Sequence, residues 1–175
     1  TEIPASKSLQ EFLIRRNMKI IVLSDTHGNF DNFYTIVNDN SNADMFIHLG
    51  DGENEYEDIQ NLNPGKDFYY VKGNNDYGFW TMSQVISMGI HKAFATHGHR
   101  YSVRGGTDLL VANAESNECD IALYGHTHVS DISMKNGVYI MNPGSADYNR
   151  DGRPACYGVI EISGKDVEMH IKNVR

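Results

Sequence analysis

The sequence predicts an α/β sandwich, with a mixed sheet whose parallel strands end in polar loops and a second sheet built largely from C-terminal hairpins. Three observations predict it. Residues 18–24 form a near-continuous apolar run, as expected of a strand buried on both faces. Strand-like and helix-like segments alternate after it as far as residue 124, and the final third then switches to short strands separated by turn signals.

In chain order, residues 18–24 form the first strand and 30–38 a helix. Residues 44–49 and 68–72 are the next strands, with the acidic stretch 53–60 as an exposed helix between them. Residues 84–88 and 92–96 read as a hairpin turning near Gly89. Residues 106–115 form a helix, and 120–124 return to the sheet. Asn136-Gly137 is a strong type I′ turn signal, and Ser163-Gly164 separates strands 157–162 and 167–171. There is no internal repeat or low-complexity segment.

Length and composition narrow the function. A chain of 175 residues is one domain by length and buries roughly 70% of the surface its unfolded form exposes. It can hold a rigid site. The net charge of -8, without a basic stripe, argues against general nucleic-acid binding. No apolar run reaches membrane-spanning length. Cys119 and Cys156 are far apart and lack metal-ligand spacing, which favours small apolar roles in a reducing cytoplasm. Thr1 is no translation start, so residues 1–17 read as a leader or appended segment ahead of a domain over 18–175. Within it Ser8-Leu9-Gln10-Glu11 is a capping box for a short helix carrying Leu9, Phe12 and Leu13, a candidate contact with a second copy in a homo-oligomer.

The chemistry lies in six short motifs, each placed where a predicted strand ends. They are Asp25-Thr26-His27, Gly50-Asp51, Gly73-Asn74-Asn75-Asp76, Thr96-His97-Gly98-His99, Gly125-His126-Thr127-His128 and Asn142-Pro143-Gly144-Ser145. Taken singly, an Asp or Gly after a strand is turn chemistry. Together they form an ordered set of carboxylates, imidazoles and one amide oxygen. That set suits divalent ions such as manganese, iron or zinc in a catalytic rather than a structural site. His126 and His128, at period two, point the same way and can serve neighbouring ions.

This order of motifs resembles that of the calcineurin-like metallophosphoesterases, and Ser24-Asp25-Thr26-His27-Gly28 with Asn142-Pro143-Gly144-Ser145 resembles the small YfcE-type phosphodiesterase branch. The resemblance spans residue 18 to about residue 171. It implies that Asp25, His27 and His128 hold one ion, that Asn74, His97 and His126 hold another, and that Asp51 bridges them. Manganese is the leading ion, with nickel, iron and zinc as alternatives. It further implies phosphodiester hydrolysis by a hydroxide held between the ions, on a small phosphate ester. Two divalent cations outweigh Asp25, Asp51 and that hydroxide, so an anionic ester is attracted despite the acidic chain. Asp51, Asn74, Asn75, Asp76 and His99 make up the expected catalytic set.

One departure bears on mechanism. Many superfamily members carry a histidine after the Gly-Asn pair, where it can protonate the leaving oxygen, and Asn75 stands there in this chain. An amide donates a hydrogen bond but supplies no proton at neutral pH. His99 is a candidate for orienting a ligand or contacting substrate. His48, His91 and His170 read as structural or solvent-facing. Arg150 and Arg153 are candidates for a phosphate clamp. Tyr69 and Tyr70 read as packing on opposite faces of a strand, and Phe79 and Trp80 as a pocket wall or partner surface. The alternatives to a phosphodiesterase are a phosphomonoesterase or protein phosphatase, and a noncatalytic module like the retromer subunit of this fold. Every expected ligand is chemically competent, which favours the enzyme.

Overall fold

The computed structural model describes residues 17–175. The short helix expected within residues 8–13 lies outside them. Among the described residues, ten strands form two five-stranded mixed sheets. The first sheet has the order β10-β9-β1-β2-β3, from β1 (Asn17–Leu23), β2 (Met45–His48), β3 (Asp67–Tyr70), β9 (Cys156–Ser163) and β10 (Asp166–Asn173). The second has the order β4-β5-β6-β8-β7, from β4 (Ser83–Met88), β5 (His91–Thr96), β6 (Ile121–Leu123), β7 (Asp131–Lys135) and β8 (Val138–Asn142). Among the described residues, three helices flank them: α1 (Phe30–Asp39), α2 (Glu53–Leu62) and α3 (Asp108–Ser116).

Period-two alternation decides which layer each strand residue joins. On β1, Ile20 and Val22 face the second sheet and meet Ile47, Ala95, Leu123 and Met141 in a core shared by both sheets. Ile21 and Leu23 face the other way and meet Phe33, Ile36 and Val37 of α1 and Ile59 of α2. On the far side, Phe94, Ala122 and Ile140 pack beneath Leu110, Val111 and Ala114 of α3. The result is helix, sheet, sheet, helix. That double cover explains why residues 20–23 are all apolar and fully buried.

The expected division of the sheets needs a correction. The C-terminal hairpins do not make the second sheet by themselves. The β9–β10 hairpin joins the first sheet, with β9 antiparallel to β1, while the β7–β8 hairpin closes the second. Pairing with β9 covers an edge of β1 that would otherwise expose its backbone donors and acceptors. Each sheet then has its own parallel trio: β1, β2 and β3 in one, and β5, β6 and β8 in the other. The turn between β7 and β8 has φ values of 54° at Asn136 and 81° at Gly137, the left-handed pair of a type I′ turn.

Candidate metal centre

All six motifs follow the carboxyl ends of those parallel strands, three from each sheet. Ligands gather at such ends in α/β folds, because the loops there converge. The loops are held in a backbone state that side chains rarely adopt. Among the described residues, eight non-glycine residues have positive φ, and five of them are Asp25, His27, Asp51, His126 and His128. Such conformations cost of order 1 kcal/mol or more each and persist where surrounding contacts over-determine them.

Those contacts are present. Asp25 Oδ2 accepts from the Ser24 hydroxyl at 2.7 Å and the His126 N–H at 3.0 Å, which leaves Oδ1 for another partner. The Asn142 amide donates to the Gly125 carbonyl at 3.0 Å and to the Thr127 hydroxyl at 2.9 Å. The Ser145 hydroxyl donates to the Asp25 carbonyl at 2.8 Å. Gly73 lacks a side chain for a steric reason, since a Cβ there would stand 2.0 Å from Asp51 Oδ1.

Two groups of donor atoms converge, and they share a carboxylate: Asp25, His27 and His128 form one, and Asp25, Asp51 and His97 the other. His128 Nε2 lies 3.1 Å from Asp25 Oδ1 and 3.2 Å from His27 Nε2. His97 Nε2 lies 3.5 Å from Asp51 Oδ2 and 3.2 Å from Asn74 Oδ1. Asp51 Oδ2 is 4.0 Å from His27 Nε2, so it reaches towards both groups. The His126 ring stands 5.2 Å from that of His97 and joins neither group.

A cation fits this arrangement. His128 Nδ1–H donates to the Tyr148 carbonyl at 2.9 Å, and His97 Nδ1–H donates to the Leu49 carbonyl at 2.7 Å. In the neutral form that a metal ligand requires, each ring then turns an Nε2 lone pair inward. For His97 that lone pair faces the Asn74 carbonyl oxygen, two acceptors with no proton between them. Asp25 Oδ1 is buried and lacks any well-aligned hydrogen bond despite its close nitrogen neighbours. A positive ion satisfies all of these atoms at once.

Electrostatics hold Asp25 and His126 in ligand-ready forms. Burial opposes ionisation of Asp25, but contacts with His128 and His27 outweigh it and hold the carboxyl well below the usual range. Contact with Asp25 in turn raises the pKa of His27, against its partial burial. Burial, the neighbouring His97 and Arg104 push His126 down to about 4, which keeps the ring neutral.

The remaining expected residues fall outside the donor groups. Asn75 donates to Asp51 through both its backbone and its side chain. Asp76 accepts four hydrogen bonds beneath the same loop. His99 lies beside the cluster, its ring 5.4 Å from that of His97, with a buried Nδ1 that has no hydrogen-bond partner among the described residues. Arg153 is committed to Asp151 and Ser130. Trp80 packs on Tyr56 and Tyr70, whereas Phe79 is fully exposed.

Sequence reasoning read His48 as structural or solvent-facing but gave it no partners in the site. His48 is buried; its Nδ1 accepts from the Gly50 N–H and its Nε2–H donates to the Thr26 hydroxyl, so the neutral ring ties two ligand loops together. Burial pushes its pKa down to about 3. The Asn-Pro-Gly-Ser motif did carry a signal for Asn142 and Ser145, but only as a family mark. His91, read as structural or solvent-facing, is buried and bonded through Nδ1 to Asp120 and through Nε2 to the Gly164 carbonyl.

Comparison with known proteins agrees with the geometry. The probable metallophosphoesterase YsnB of Bacillus subtilis is 28% identical over 148 residues, covering 83% of this chain and 85% of that protein. Phosphodiesterase MJ0936 of Methanocaldococcus jannaschii is 31% identical, covering 85% of this chain and 96% of its own. The crystal structure of a predicted phosphoesterase from Streptococcus pneumoniae superposes with a TM-score of 0.77 at 27% identity, over 90% of each chain. The model of the calcineurin-like phosphoesterase superfamily domain matches residues 18–165, and the chain belongs to that superfamily.

Proposed function

We propose that the protein hydrolyses small phosphodiesters with two divalent transition-metal ions. Asp25, His27 and His128 would hold one ion, Asn74, His97 and His126 the other, and Asp51 would stand between them. The observation that carries this reading is the pair of donor groups sharing Asp25, with the Nε2 lone pairs of His97 and His128 aimed inward by carbonyl partners. When bound, such a pair supplies Lewis acidity and a water of lowered pKa.

The chain's own residues complete the site. Asp25 and Asp51 provide fixed negative charge between the imidazoles, and Asn75 fixes the orientation of Asp51. A cleft of about 300 Å³ opens beside His27, Asp51 and Asn75, large enough for one arm of a small ester. A larger cavity of about 610 Å³ lies by the start of β1 and includes none of the ligand residues. Mixed imidazole and carboxylate donors favour manganese, with nickel, iron and zinc next. Among the described residues no helix is long and apolar enough to cross a membrane. The two buried free cysteines support a cytoplasmic setting.

The test is a substrate panel on the manganese-loaded protein. Bis(p-nitrophenyl) phosphate should turn over at least about tenfold faster in kcat/KM than p-nitrophenyl phosphate; both release p-nitrophenolate, so the ratio reports the ester class and not the leaving group. The reverse order would make the protein a phosphomonoesterase. No turnover of either ester with two ions bound would favour the noncatalytic reading.

A further inference from the structure

The Asp76 carboxylate gathers four donors from three segments. Its Oδ2 accepts from the Asp51 N–H at 2.9 Å, the Gly73 N–H at 2.6 Å and the Tyr70 hydroxyl at 2.7 Å, while Oδ1 accepts from the Gly52 N–H at 3.1 Å. The Tyr70 oxygen also accepts from the Gly52 N–H, at 3.0 Å. Tyr70 is the last residue of β3, and its ring is fixed by Tyr56, Trp80 and His48 at centroid distances of 4.6, 4.9 and 5.1 Å. Asp76 therefore joins the loop after β2 to the loop after β3 through a rigid aromatic base. It belongs to neither group of converging donors.

The consequence falls on Asp51. That residue holds a φ of 59°, which an aspartate adopts only under constraint, and its amide is one of the four groups bound to Asp76. We infer that Asp76 and Tyr70 form a positioning pair that fixes the bridging carboxylate of Asp51 and thereby sets the affinity of the centre for its ions without touching them. The inference rests on the dimetal reading above. Partners that orient ligands from behind commonly contribute 10-fold to 100-fold in metal affinity.

The replacement Asp76→Asn is mild in shape. Its amide oxygen can take the place of Oδ2 and keep three donors, so the contact with Gly52 and the negative charge are what is lost. Tyr70→Phe keeps the ring packing and removes only the hydroxyl. The experiment titrates manganese into the full chain by calorimetry for the native protein and both variants, with thermal unfolding of each in chelator and the manganese EPR spectrum at two equivalents. The native protein should bind two ions with a spin-coupled spectrum. Asp76→Asn should bind at least one ion about 10-fold to 100-fold more weakly and lose the coupled signal, and Tyr70→Phe should weaken binding by about tenfold. Affinities and spectra equal to native in the folded variants would overturn the inference, as would a loss no larger than the fall in folded fraction. If Asp76→Asn does not fold, Tyr70→Phe decides alone. A native protein that binds no ion would instead overturn the dimetal reading.

Discussion

Asn75 grips both oxygens of Asp51: its backbone N–H donates to Oδ1 at 2.7 Å, and its side-chain amide donates to Oδ2 at 2.6 Å. The side chain expected beside the leaving oxygen thus lies against the Asp51 carboxylate. An amide so placed donates hydrogen bonds but no proton. The rate should then depend steeply on leaving-group acidity, with aryl diesters far ahead of alkyl ones. Asn75→Ala should preserve that slope, whereas Asn75→His, which adds a titratable ring, should flatten it. A plot of log kcat/KM against leaving-group pKa checks all three forms. A shallow native slope would direct attention to His99, whose buried Nδ1 has no hydrogen-bond partner among the described residues.

Asp51→Asn should lower metal occupancy and cut turnover by several orders of magnitude, because it removes the charge between the two donor groups. His91→Ala should act differently. His91 is buried at the other end of its strand from His97 and bonds Asp120 and Gly164, so its loss should cost about 1–3 kcal/mol of stability while leaving kcat of the folded protein near native. Parallel unfolding and activity measurements separate the two effects. Equal losses of kcat would show that the site has been misplaced.

Gly73→Ala tests the close approach directly. With a Cβ 2.0 Å from Asp51 Oδ1 and 2.4 Å from the Asp51 nitrogen, the loop has to move. Metal affinity should fall along with turnover, and a variant with native affinity would show that the Asp51 position is not set by this contact.

The pH dependence of stability should carry the signature of His48. Its folded pKa of about 3 lies below its ordinary value of 6.5, so the unfolded chain binds a proton between those values while the folded protein does not. Stability therefore rises with pH across that window and is lost as pH falls from 6.5 towards 3. The depressed Asp25 carboxyl adds a loss of the same sign below 3.8. In His48→Gln, denaturant melts between pH 4 and 7 should show a shallower slope than native. An unchanged slope would remove His48 from the account.

The strand-end loops were legible because each ligand motif directly follows an apolar strand, a local pattern that survives folding. Asp25, for example, follows residues 20–24, all of them buried. The sheet partition was not local. Nothing in residues 156–173 announces that β9 pairs with β1, about 140 residues earlier in the chain, rather than with the other C-terminal hairpin. The same limit hid the partners of residues the motifs and strands did display. Asp76 meets the Asp51 amide 25 positions away, and His91 meets the Gly164 carbonyl across 73. Tyr70 read simply as a packed aromatic, because the use of its hydroxyl depends on which loop arrives above it.

The central claim is that two ions bound by one chain carry out the hydrolysis. The direct measurement is elemental analysis of the purified full chain, paired with bis(p-nitrophenyl) phosphate turnover before chelation, in excess chelator and after manganese is restored. The account predicts two transition-metal ions per chain, loss of activity on chelation, and recovery with manganese, nickel or iron but much less with magnesium, which imidazole ligands disfavour. Full activity in excess chelator would contradict it.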